Sequence, residues 1–265
     1  MSATVATART SWRQVALPRE HGGWGLTLEP IVLGLLVAWS GAGVAIGVAA
    51  FMAFLARTPL KVAAVDVRRG NWRARSTLAA RIAVAQLAAI VVLAAIAVVA
   101  GGSRWLVAVL LAAPLAGVAV WFDIRSRSRR LVPELCGSVA VAAAAPAIVL
   151  AAGDDWRLAW GVWAVLIART VASIPFVRAQ IRWARSGVAD LRSSDLAQLA
   201  GVAVALLALG IEPALWLGVA AVVAVTIAQV RWSRRPPPAI KVVGIRQMAI
   251  GIAVVVAAAI GVSLG

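Results

Sequence analysis

Nine apolar stretches divide this chain, at 24–40, 43–60, 78–100, 104–121, 132–152, 156–176, 194–210, 213–231 and 243–263. Each holds 17 to 23 residues, which as α-helix, rising about 1.5 Å per residue, crosses roughly 30 Å of hydrocarbon. The expected fold is therefore all-α: a polytopic membrane bundle of about nine transmembrane helices. The first, second and seventh stretches are short or interrupted, so eight spans is the competing count. Only 14% of residues are charged, too few to clothe a soluble domain. Residues 1–17 carry Arg9 and Arg13 but no apolar segment leading to a cleavage site. They read as a flexible cytoplasmic tail ahead of a single transmembrane domain, 18–265. The lone Cys136 forms no internal disulfide and reads as a small core residue.

The connections orient the bundle. Those after spans one, three, five and seven are tight (SGAG, GGSR, GDDW, GIEP), whereas the others are longer and basic. The tail and the basic connections together carry 23 of the 26 Lys and Arg residues; only Arg104 and Arg157 lie opposite, and Arg169 sits inside a span. Cytoplasmic loops collect this excess, which places the N-terminus inside and, with nine spans, the C-terminus outside a bacterial inner membrane. The formal charge of +16 is then a topology signal with attraction to anionic lipid, and it calls for no nucleic acid partner. Trp105, Trp121, Trp156, Trp160, Trp216 and Trp232 fall at span ends, where amphipathic rings anchor.

A charge near the bilayer centre costs about 2.5–3.5 kcal/mol on insertion scales, so each acid needs a reason. Asp154, Asp155 and Glu212 lie in outer loops. The other seven, Glu20, Glu29, Asp66, Asp123, Glu134, Asp190 and Asp195, cluster in or beside the cytoplasmic half. His21, Gly25 and Glu29 step by four and form a narrow polar stripe on a helix. Pro30 withdraws a hydrogen bond from the Leu26 carbonyl. The stripe reads either as a kinked helix entrance or as the wall of a cytoplasm-open cavity. Asp66, with Arg68, Arg69 and Gly70-Asn71, reads as a turn among guanidinium groups suited to phosphate oxygens. Asp123 ends one helix, and Pro133-Glu134 starts the next. Arg178, Gln180, Arg182 and Arg185 fall at near-helical spacing before Asp190 and Asp195. Arg169 needs a carboxylate or a ligand anion as partner.

The segment Pro18-Arg19-Glu20-His21-Gly22-Gly23-Trp24 resembles the opening signature of the YwiC-like family of bacterial membrane proteins, in which a proline, a basic and a polar residue precede His-Gly-Ala/Gly-Trp. The whole chain more distantly resembles the UbiA-type intramembrane prenyltransferases, with nine spans and long cytoplasmic loops after spans two and six. In those enzymes aspartate-rich motifs in the two loops hold Mg²⁺ against a prenyl diphosphate. Here the first loop matches at Asp66 only, and the second offers Asp190 and Asp195. That resemblance implies a transferase acting on an isoprenoid or lipid diphosphate. His21, Glu29 and Asp66 would be catalytic; Trp24, Arg68, Arg73, Arg178, Arg182, Asp123 and Glu134 would bind substrate; Asp66, Asp190 and Asp195 would hold Mg²⁺. The alternative on the same scaffold is a transporter or a lipid- or organic-anion-binding protein without catalysis, which needs the arginines but no acid–metal cluster. A scaffold protein is the third reading, and it leaves the polar stripe unused.

Overall fold

A computed structural model describes Trp12, Val15 and residues 21–265, the side chains of His21 and Gly22 excepted. The expected tail and the Pro18-Arg19-Glu20 portion of the opening segment lie outside the described residues. Ten α-helices follow: α1 His21–Val37, α2 Gly41–Arg68, α3 Ala74–Gly101, α4 Leu106–Ile124, α5 Leu131–Ala142, α6 Ala144–Ala151, α7 Trp156–Ser186, α8 Arg192–Ile211, α9 Trp216–Ser233 and α10 Ile240–Leu264. A short 3₁₀ turn, Pro213–Leu215, leads into α9. Eight spans are long and apolar enough to cross a membrane, with α5 and α6 counting as one, and Gly23–Val37 is a shorter apolar helix. The chain is thus a multi-pass helical membrane protein. The count falls between eight and nine because α1 holds only 17 residues, no more than the expected stretch; no two stretches fuse.

Several connections read as loops from sequence are helical instead. α2 runs through Pro59 to Arg68, α3 starts at Ala74, and α7 continues through Pro175 to Ser186. These helices are longer than about 20 residues, the length that spans hydrocarbon, and their surplus carries the arginines of the basic end. Asp66 accordingly sits in the last turn of α2, and the expected turn follows it. Gly70 has φ +62°, and its N–H bonds the Val67 carbonyl while that of Asn71 bonds the Asp66 carbonyl. That pair of bonds closes the helix as a Schellman motif.

The fifth span is broken between α5 and α6, and Pro146 accounts for it. Its ring crowds the carbonyl of Ala142 and it offers no N–H. The Ala143 N–H turns back to the Ala140 carbonyl, freeing the carbonyl of Val139. Trp163 of α7 donates its indole N–H to that carbonyl at 3.1 Å. In lipid a freed backbone group needs a partner from a neighbouring helix, and here the partner is identified.

The bundle is built inside out relative to a soluble protein. Val84, Val91, Val99, Leu199, Leu207 and Ile252 are exposed and face lipid, whereas the interior is rich in alanine around Leu33, Ile148, Val162 and Val254. Small residues let helices approach closely where no hydrophobic drive separates helix from lipid. α6 is buried along its whole length, and α1 packs on α10, α6, α2, α5 and α7. Trp121 and Trp216 are about half exposed, at 55% and 50%, as expected of anchors. Trp105 differs: at 5% exposure it belongs to the core, because the preceding turn tucks it inward rather than letting it cap its helix from outside.

At Gly34 a Cβ would stand 2.9 Å from Ile148 Cβ and 3.2 Å from Ala145 Cα, neither of which can swing aside. Gly34→Ala is expected to overpack the α1–α6 contact and destabilise by about 1–3 kcal/mol, seen as a lowered midpoint of thermal unfolding in detergent.

Candidate functional site

α1 enters the bundle with Gly25 and Glu29 on one face, as the four-residue step implies. That face looks not into an open cavity but at α10. A Cβ on Gly25 would lie 3.5 Å from Glu29 Oε1 and 3.7 Å from Met248 Cγ. The side chain of His21 lies outside the described residues, so the stripe is defined here by Gly25 and Glu29.

Glu29 and Arg169 of α7 meet in the interior, 5% and 3% exposed. Arg169 Nε stands 2.8 Å from Glu29 Oε2. The approach is off the N–H axis, so the contact is an ion pair rather than an aligned hydrogen bond, and Glu29 Oε1 has no hydrogen-bond partner. Arg169 Nη2 donates to the backbone carbonyl of Gln247 in α10 at 2.7 Å. Gly251, one turn along α10, makes this possible: a Cβ there would fall within contact of the Glu29 carboxylate and 2.6 Å from Arg169 Nη2.

A glutamine network continues from this pair through apolar spans. Gln247 Oε1 accepts from Gln229 Nε2 of α9 at 3.4 Å, and Gln229 Nε2 also reaches Ser173 Oγ at 3.2 Å. Gln198 Nε2 of α8 donates to Gln229 Oε1 at 2.9 Å and to the Ala172 carbonyl at 3.0 Å. Glu29, Arg169, Gln247, Gln229 and Gln198 therefore draw five helices to one polar line. A narrow cleft of about 10 Å³, room for roughly one water, opens beside it between Phe176, Gln180, Trp232, Val243, Arg246 and Gln247. The Nε2 atoms of Gln180 and Gln247 are buried donors without partners.

Four of the remaining acids of the basic end, Asp66, Asp123, Glu134 and Asp195, are held by cations from other elements. Asp66 takes Arg75 Nη2 at 3.1 Å and the Ser76 hydroxyl at 2.6 Å, tying α2 to α3. Asp123, 3% exposed, takes Arg57 Nε at 2.6 Å and Lys61 Nζ at 3.4 Å, tying α4 to α2. Glu134 takes Arg178 at 2.7 Å, joining α5 to α7. Asp195 takes both terminal nitrogens of Arg234, at 2.8 and 3.0 Å, and Asp190 accepts from the Arg192 N–H at 3.4 Å. Among the described residues no three His, Cys, Asp or Glu side chains gather as a metal site. The trio Asp66, Asp190 and Asp195 is not assembled around a common point of that kind.

Of the residues expected to bind substrate, Glu134 and Arg178 are paired with each other and Asp123 is held by Arg57 and Lys61. Trp24 packs edge-on against Phe54 with ring centroids 5.3 Å apart. Arg73 donates to Asn71 at 2.9 Å and Arg182 to Ser193 at 3.3 Å. Arg68 is exposed at the end of α2. What sequence reading passed over is the glutamine network and Gly251. The signal was present: Gln198 and Gln229 interrupt otherwise apolar spans, and a polar side chain in a span is rarely idle.

A family model described as YwiC-like protein matches residues 17–149, from the opening segment into α6. Comparison with curated proteins gives no match, and comparison with solved structures gives none. Glu29 lies inside the matched part; Arg169 and the glutamines lie beyond it.

Removing one partner of a buried ion pair strands the other charge, at about 3–5 kcal/mol. Glu29→Gln is therefore expected to lower thermal stability in detergent sharply. The double variant Glu29→Gln with Arg169→Gln is expected to be less destabilised than Glu29→Gln alone. Gly251→Ala, which displaces the carboxylate, is expected to resemble Glu29→Gln in direction.

Proposed function

The chain belongs to the YwiC-like family, and we propose that it binds or carries an organic anion across a bacterial inner membrane, with the basic end in the cytoplasm. The observation that carries this reading is the Glu29–Arg169 pair, an intramembrane guanidinium whose carboxylate partner is held loosely. Ionisable residues inside a membrane bundle mark substrate or ion pathways by default. An anionic guest would compete with the Glu29 carboxylate for Arg169. The amide donors of Gln180 and Gln247, with Arg246 beside them, would receive it from the basic end. In the observed conformation the cleft admits about one water, so entry requires α10 to shift against α7 and α9.

A transferase acting on a prenyl or lipid diphosphate asks more of the chain. Asp66 and Asp195 would have to leave Arg75 and Arg234 before holding Mg²⁺, whereas the anion-carrier reading displaces Glu29 alone from Arg169 and leaves those two pairs in place. Reconstitution in liposomes with a panel of labelled organic anions tests the proposal. Wild type is expected to accumulate at least one anion above empty vesicles. The charge-neutral Glu29→Gln/Arg169→Gln protein, which strands no charge, is expected to lose about ten-fold or more of that uptake, since charge-assisted hydrogen bonds contribute roughly 1.5–3 kcal/mol. Equal uptake by the two proteins, or none by wild type, defeats the reading, and prenyl transfer by wild-type membranes would put the transferase in its place.

A further inference from the structure

The segment joining α4 to α5 reads Arg125-Ser126-Arg127-Ser128-Arg129-Arg130. Together with Lys61 of α2, residues 126–130 line a shallow cleft of about 340 Å³, the size at which small-molecule pockets begin. The arginines of this cleft are gathered at one place and are not among those held by carboxylates. Arg57, Arg75, Arg178 and Arg234 have carboxylate partners. Among the described residues the guanidiniums of Arg127, Arg129 and Arg130 have none. Of the acids beside the cleft, Asp123 is shared by Arg57 and Lys61, and Glu134 is taken by Arg178. A topology signal needs arginines on one side of the membrane; it does not need three of them converging with a lysine and two hydroxyls.

The segment is also held in shape. The Ser126 N–H bonds the Asp123 carbonyl and the Arg127 N–H bonds the Phe122 carbonyl, at 3.0 and 2.9 Å, a second Schellman closure of the kind that glycine usually provides. Here the left-handed position is taken by Ser126, at φ +57°, which costs a non-glycine residue about 1–2 kcal/mol. The strained residue is one of those that line the cleft. Lys61 Nζ donates to Ser128 Oγ at 2.8 Å, and Arg178 Nη1 donates to the Arg129 carbonyl at 2.9 Å, so α2 and α7 both brace the segment.

Depth is marked by Trp121, whose half-exposed ring carries the Arg125 guanidinium 4.0 Å above its centroid. An amphipathic ring stacked under a cation belongs at the headgroup level. We infer that the cleft formed by Lys61, Ser126, Arg127, Ser128, Arg129 and Arg130 is a binding site for the phosphate group of an anionic phospholipid. Arginine forks match phosphate oxygens in pairs, the serine hydroxyls supply further donors, and the surplus of positive charge selects lipids with net negative headgroups over zwitterionic ones.

Native mass spectrometry of the full-length protein, released from bilayers containing equal phosphatidylglycerol and phosphatidylcholine, tests this. Wild type is expected to retain phosphatidylglycerol preferentially. The Arg127→Gln/Arg129→Gln/Arg130→Gln protein is expected to lose at least about ten-fold of that retention, since each surface cation contributes roughly 1 kcal/mol. A control removing the same charge elsewhere, Arg185→Gln/Arg192→Gln/Arg235→Gln, is expected to retain the lipid. Equal retention by wild type and the first triple variant overturns the site, and so does an equal loss in the control, which would mean generic charge attraction. Addition of millimolar pyrophosphate separates the sources. Resistance of the bound lipid to pyrophosphate supports the phospholipid, and its displacement overturns that source in favour of a soluble phosphate at the same residues.

Discussion

Inside hydrocarbon a charged side chain has only other protein groups to turn to, and the position of Arg169 organises the bundle around that fact. Its guanidinium meets Glu29 from α1 and the Gln247 carbonyl from α10, so the first and last helices are fixed against the seventh by one residue. Burial on this scale gains little net stability from the pair itself, because desolvation offsets attraction. What it contributes is a constraint on how α1 and α10 meet α7, and Gly251 leaves the space that the arrangement needs. The glutamines of α8, α9 and α10 extend the same logic, each finding its partner on a neighbouring helix.

At the basic end the same physics runs in a wetter setting. Repulsion among so many arginines would splay the helix ends, and four acids there answer it by bridging two elements: α2 to α3 through Asp66, α4 to α2 through Asp123, α5 to α7 through Glu134, and α8 to the segment after α9 through Asp195. Carboxylates so engaged act as stitches, which is why a clustering of acids that suggests metal chemistry in the sequence resolves into separate pairs in space. Arginines left over from this stitching are the ones available to something outside the chain. Those of residues 127–130 are gathered rather than scattered, which sets the proposed phosphate site apart from the anion path proposed at Arg169.

The broken fifth span shows how a local defect is absorbed. Pro146 cannot continue the hydrogen-bond ladder, and a bilayer offers no water to mend it. The indole of Trp163 takes the Val139 carbonyl that the break leaves free, so a ring within an apolar span serves a backbone carbonyl of its neighbour. Trp105 changes role, from anchor to core.

The sequence by itself determined the spans, the basic end, the Gly25–Glu29 stripe and the need of Arg169 for a partner, because hydropathy and helical spacing are local properties that add along the chain. The opening segment also carried the family. Only the tertiary structure decided that Glu29 is that partner, that Asp66, Asp190 and Asp195 do not gather as a metal site, and that Arg127, Arg129 and Arg130 share one cleft with Lys61. Those outcomes depend on which helix faces lie opposite each other. Facing is set by the packing of small residues between segments distant in sequence, and no single span records it.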